Sequence, residues 1–262
     1  MADVISHEKS VLHTAVAFLI AYNLTTKKCV TLIRKTIWGR DIIGGKCSEE
    51  DKTFLDTLRR ELGEETLASL PQFLQDAGAK EMPVCGNSCM TPEEECELRS
   101  LLLALEQTDV VKMLNDEQFS LLWAKDLMKE RALAEGRTEH SRCNAFYLGE
   151  FSDSQLNAYE EKASRIGKIL YPLFQRMKDK GITHDESSCL KAYTEASEYT
   201  FLPVSEIAAS VNLCGGFGSH SNGKRCRAES ALAKGSICLL FDTEELRQSL
   251  ALAAERESSA PA

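Results

Sequence analysis

An α+β fold is predicted for this chain of 262 residues. Two apolar, partly β-branched segments near the N-terminus are joined by a short polar connector, the pattern of a strand hairpin. Amphipathic segments that open on capping residues follow, interspersed with further strand-like runs. On the first of these helical segments the acidic residues lie beside the apolar stripe, where a solvated helix would not place them.

Residues 15–24 (AVAFLIAYNL) have the character of a buried strand, and 29–34 (CVTLIR) alternate as a returning strand does, with Thr25-Thr26-Lys27-Lys28 between them. Trp38-Gly39-Arg40-Asp41 reads as a loop, Ile42-Ile43 as a short strand and Gly44-Gly45 as a sharp backbone feature. The polar loop 46–52 then leads to a helix that starts near Thr53.

At about 100° per residue, with Phe54 at zero, Leu55, Leu58 and Leu62 fall at roughly 100°, 40° and 80° and form the core-facing stripe. Glu61, Glu64 and Glu65 fall at roughly 340°, 280° and 20°, along the edge of that stripe. Three acids at the rim of a core need counter-charge, and Arg60 reaches only Glu64 by the i,i+4 spacing.

Residues 91–133 read as helices. Thr91-Pro92 is a capping residue followed by proline at the first helical position, and Asn115-Asp116-Glu117 opens a second helix carrying Phe119, Leu122 and Trp123. Residues 143–151 return to strand character, and 153–180 are helical with Pro172 as a break or kink. Residues 199–202 form a short strand, and Pro203-Val204-Ser205-Glu206 caps a small helix. Gly215-Gly216-Phe217-Gly218 reads as a connector rather than a phosphate loop, since no clear strand precedes it and no clear helix follows. A strand at 237–241 and a helix from Thr243 come before a polar tail.

The 31 Lys and Arg against 40 Asp and Glu give a formal charge of -9, which disfavours broad nucleic-acid binding. A small phosphorylated ligand remains compatible, because a local basic patch or a bound cation reverses the sign of a site. No apolar run reaches the ~20 residues of a membrane span, and the charged N-terminus lacks the form of a signal peptide, so a cytoplasmic setting is expected. The ten cysteines read as reduced thiols. Neither Cys85, Cys89 and Cys96 nor Cys214, His220 and Cys226 have the close pairs and four ligands of a zinc site.

From Gly44-Gly45-Lys46 to Arg60-Glu61-Leu62-Gly63-Glu64-Glu65 the sequence resembles the box of the Nudix hydrolase family, in which a Gly is followed six residues on by a Glu and then by Arg-Glu-aliphatic-X-Glu-Glu. Phe201-Leu202-Pro203-Val204-Ser205-Glu206-Ile207 is similar to that family's closing strand and short helix. The loop before Arg60 is one residue longer than the family spacing. The outlying Glu is absent, with Asp51 or Lys52 nearest its place, and the closing Gly falls on Leu67, so the helix is expected to run on toward Leu70.

The resemblance implies an α/β/α sandwich with a mixed sheet over residues 1–211, enlarged by helical insertions at about 88–137 and 153–185, with 212–262 as a C-terminal extension. It implies Mg²⁺ or Mn²⁺ held by Glu61, Glu64 and Glu65, with Arg60 orienting the acids. Glu195, or alternatively Glu198, would be a further ligand or base. Hard oxygen donors suit those ions, and ions held there would neutralise a diphosphate and activate an attacking water. Arg34, Lys35, Arg40 and Lys46 flank this region beside Gly45 as phosphate-facing candidates, with ordinary surface charge as the alternative. Trp38 or Phe201 would stack on a base, with core packing as the alternative, and His140 and Arg142 stand at a strand entrance with no role chosen. The activity expected is metal-dependent hydrolysis of a diphosphate linkage in a nucleoside diphosphate derivative. The competing expectations are a binding module that has lost its chemistry and, third, mRNA decapping. The insertion near 91–133 offers a surface for a second copy or another protein partner.

Overall fold

The computed structural model describes residues 11–26, 28–36, 39–76, 90–116, 120–130, 139–179, 191–204 and 206. Strands β1 (Val11–Asn23) and β2 (Lys28–Thr36) form an antiparallel hairpin in which Asn23 faces Lys28. The Asn23 side chain closes its turn by accepting from the backbone N–H groups of Thr25 and Thr26, each at 2.9 Å. Strands β3 (Gly39–Asp41) and β4 (Ile43–Lys46) follow directly, β3 on β2 and β4 antiparallel on β1. On the far edge of β1, β6 (Glu139–Phe151) pairs in parallel, and β5 (Ser120–Glu130) pairs antiparallel with β6. Strand β7 (Ala196–Pro203) runs antiparallel to β2, which makes a mixed sheet of seven strands in which the path β3-β2-β1-β6-β5 carries β4 and β7 beside it.

Helices α1 (Phe54–Glu65), α2 (Leu70–Asp76), α3 (Pro92–Glu106), α4 (Asp109–Asn115) and α5 (Asp153–Asp179) share one core with the sheet. Strand alternation turns Ala15, Ala17, Leu19 and Ala21 of β1 toward that core, where they join Leu32, Ile43, Phe54, Leu58, Leu62 and Leu170. Ile20 and Tyr22, on the opposite face of β1, are also buried. The hairpin, the helix beginning after Thr53 and the mixed α/β character follow the sequence expectation. Among the described residues no helix is long and apolar enough to cross a membrane.

Four expectations are corrected. Residues 120–130 form a strand, although they are rich in helix formers, because their backbone groups pair along β6 from Ser120–Leu148 to Glu130–Glu139. Residues 39–41, read as loop, add a short strand to β2. Pro172 does not end α5, whose buried Ile169, Leu170 and Leu173 anchor the helix on both sides of it. Helix α1 stops at Glu65 without a glycine: Leu67 itself takes the left-handed conformation, with φ 63°. The Leu67 N–H donates to the Glu64 carbonyl at 3.1 Å and the Ser69 N–H to the Gly63 carbonyl at 3.0 Å, which closes the helix end before α2.

Trp38, Phe119, Cys85, Cys89, Cys214, His220, Cys226, Gly215–Gly218 and the proposed extension 212–262 lie outside the described residues.

Candidate active site

The site is built where α1 crosses β4. Thr53 caps the helix through a reciprocal pair of bonds, its hydroxyl accepting from the Asp56 N–H while the Asp56 carboxylate accepts from the Thr53 N–H. With the start of α1 set this way, Phe54, Leu58 and Leu62 are buried, and Glu61 and Glu65 lie one turn apart at the edge of the same face. Both acids are themselves buried, at 7% and 5% exposure, so the rim position read from the helical angles becomes an interior one.

Glu61 comes to rest on the bare backbone of Gly45, where a Cβ would lie 2.1 Å from its Oε1. Only glycine leaves room for the carboxylate there. Its other neighbour is Arg60, whose Nη1 donates to Glu61 Oε1 at 2.9 Å and to Glu64 Oε2 at 3.3 Å. Arg60 also holds the preceding loop: Nη2 donates to the Lys46 carbonyl at 2.9 Å and to Asp51 Oδ2 at 3.0 Å. Asp51, buried, accepts in addition from the Ser48 N–H at 2.8 Å and the Thr57 hydroxyl at 3.0 Å. This aspartate, six residues after Gly45, ties the loop before α1 to Arg60 and Thr57.

Glu65 is held separately. Arg34 from β2 meets Oε1 at 2.5 Å, and the Gly44 N–H donates to Oε2 at 2.7 Å. Gly44 has φ 150°, a conformation open to glycine, and it turns that N–H toward the helix. Arg34, expected to meet phosphate, is instead 2% exposed and spends its charge inside the protein.

Four carboxylates thus face two guanidinium groups. Burial pushes the Glu61 carboxyl up to about 7 against the opposing pull of Arg60. Burial also raises Glu64, again opposed by Arg60, and raises Glu65 well above the usual range despite Arg34. For Asp51 burial is the largest single influence, yet the hydrogen bonds from Arg60, Ser48 and Thr57 together with the Arg60 charge hold it below the ordinary value.

Glu195 stands exposed after the 3₁₀ turn Lys191–Thr194, and its charge is felt by Glu64 and Glu65. That turn is fixed to the α1–α2 corner by Tyr193, whose hydroxyl lies 2.8 Å from Ser69 Oγ and whose ring packs on Phe73 at 5.4 Å. Nothing in the local sequence signalled this link, because it joins residues 124 positions apart. Glu198 pairs with Lys35 at 2.9 Å on an exposed edge instead. Arg40 and the Lys46 side chain are exposed near the site, and Phe201 packs on Tyr159 with ring centroids 6.0 Å apart, as a core residue does.

Oxygen donors are the set that Mg²⁺ or Mn²⁺ takes, and in this respect the acids fit such an ion. Glu64 is the most open of the three helix acids, with 25% of its side chain exposed, and Glu61 lies next to it through the shared Arg60. Among the described residues no three Asp, Glu, His or Cys side chains stand together as an ion would need.

A scan against protein-family models finds none that matches, and a search of curated proteins finds no match. Among solved structures, a mutT/nudix family protein from Listeria innocua shares 11% identity over 93% of this chain and 94% of its own, with a TM-score of 0.36. NrtR of Shewanella oneidensis, crystallised with a 27mer DNA, shares 12% identity over 92% of this chain, with a TM-score of 0.34. The match spans 63% of the length of that NrtR chain. At these scores the overlays carry no argument about activity.

Proposed function

We propose that this chain is a Nudix-type hydrolase that uses a divalent metal to cleave a diphosphate linkage in a nucleotide-like compound. The observation that supports this most is the seat of Glu61 on Gly45, with Glu64 beside it and Arg60 joining both acids to the Asp51-anchored loop. In this reading Glu64 and Glu61 would hold Mg²⁺ or Mn²⁺, whose charge would offset that of the diphosphate and lower the pKa of a water. Arg60 orients the two acids, Glu195 accepts the proton of the attacking water, and the exposed Arg40 and Lys46 meet the phosphates. Residues 1–211 make up the working domain, 212–262 extend it, and the cytoplasm is its setting.

The test is turnover of nucleoside diphosphate sugars, dinucleoside polyphosphates, diphosphoinositol phosphates and capped RNA with Mn²⁺. The Glu61→Gln, Glu64→Gln double variant serves as control. Turnover that the double variant abolishes supports the reading, and a panel without turnover, or an active double variant, refutes it.

A second reading, a binding module without chemistry, is favoured by the arginines that already engage the buried acids. Calorimetric titration with Mn²⁺ separates the two, because a site retaining its chemistry takes up the ion and a module that has lost it does not.

A further inference from the structure

The box residues are expected to act alike, yet Glu65 is in a different position from Glu61 and Glu64. Both of its oxygens have donors, Arg34 on one and the Gly44 N–H on the other. The arginine is not a surface group that could swing aside. It is 2% exposed, lies on β2 opposite both Tyr199 and Asp41, and donates from Nη2 to the Ile42 carbonyl at 3.3 Å. Glu64, by contrast, is partly open and meets Arg60 on one oxygen, Oε2, at 3.3 Å.

We infer that Arg34 is the resident counter-cation of Glu65, standing where a divalent ion would otherwise be required, so that Glu65 is withheld from any metal the site binds. The inference rests on the metal-site reading for its consequence and on the Arg34–Glu65 pair for its cause. An ion on Glu65 Oε1 at about 2.1 Å would lie within about 4.6 Å of the Arg34 nitrogen already 2.5 Å from that oxygen. Two cations at that separation inside the protein repel strongly, and the second Glu65 oxygen is already taken by the Gly44 N–H. The sequence motif presents three acids, but the tertiary structure offers only two of them to an ion.

Mn²⁺ binding followed by electron paramagnetic resonance of the free ion tests this without a substrate. The variants are Glu64→Gln, Glu65→Gln and the double Arg34→Met, Glu65→Met, which replaces the buried pair by apolar groups and guards against a folding defect in the single variant. The expected result is Mn²⁺ affinity within about twofold of wild type for both Glu65 variants and a loss of about tenfold or more for Glu64→Gln. A tenfold loss in the folded double variant would overturn the inference while leaving the metal-site reading intact. If wild type binds no Mn²⁺, the metal-site reading fails and the single Arg34→Met variant decides the inference. Uptake of Mn²⁺ by that variant supports Arg34 as the stand-in cation, and no uptake, folded or not, overturns it.

Discussion

Gly45 and Glu61 share one space: the carboxylate lies where a β-carbon on residue 45 would be, 2.1 Å from Oε1. Gly45→Ala must therefore displace a buried acid from its bond with Arg60. The displaced atoms are a side-chain end, so the expected stability cost is about 1–3 kcal/mol. Mn²⁺ affinity should fall together with stability, and calorimetry on the folded variant checks it.

Leu67 reverses the usual order of alanine and glycine. Its φ of 63° strains any side chain, while its own side chain is fully buried. Leu67→Ala and Leu67→Gly both lose about 2–5 kcal/mol of packing. Glycine alone relieves the backbone, so Leu67→Gly should be the more stable of the two by about 1 kcal/mol in urea denaturation.

Asp51 ties the 46–52 loop to the helix through Arg60, Thr57 and Ser48. Asp51→Ala leaves Arg60 with one acid partner fewer and removes a buried acceptor, at a cost of about 2–4 kcal/mol. Because the Asp51 carboxyl is held below its ordinary 3.8, its stabilisation is present above that value and is lost as pH falls through the lowered one. The acid limb of the unfolding curve should accordingly flatten in Asp51→Ala.

Glu61 predicts the opposite slope near neutrality. Its carboxyl is raised by burial from 4.5 to about 7, so between these values the folded protein binds more protons than the unfolded chain. Stability of the metal-free protein, measured with chelator present, should fall as pH rises from about 4.5 to about 7. Glu61→Gln should reduce that fall, and a slope unchanged by the variant would place its origin elsewhere.

Gly167 lets α5 lie directly on β7. A Cβ there would come 2.8 Å from the Ala196 carbonyl oxygen and 3.1 Å from Ser197 backbone atoms. Backbone cannot turn away as a side chain can, so Gly167→Ala should destabilise by about 2–3 kcal/mol, seen as a lowered denaturant midpoint.

The sequence alone determined features with short-range causes. Alternation and a polar connector marked the hairpin of β1 and β2, the polar loop before Thr53 marked the start of α1, and the 3.6-residue period placed Glu61 and Glu65 beside the apolar stripe. Other features depended on partners distant in the chain. The strand at 120–130 exists because β6 offers a ladder to pair with, against the helical preference of its own residues. The end of α1 is set by packing that holds Leu67 left-handed, where the pattern lacked its glycine. The buried ion pair of Glu65 was decided by Arg34, 31 positions earlier and on another element. Local propensity and periodicity are properties of neighbouring residues, whereas counter-charge and burial arise only when separate elements meet.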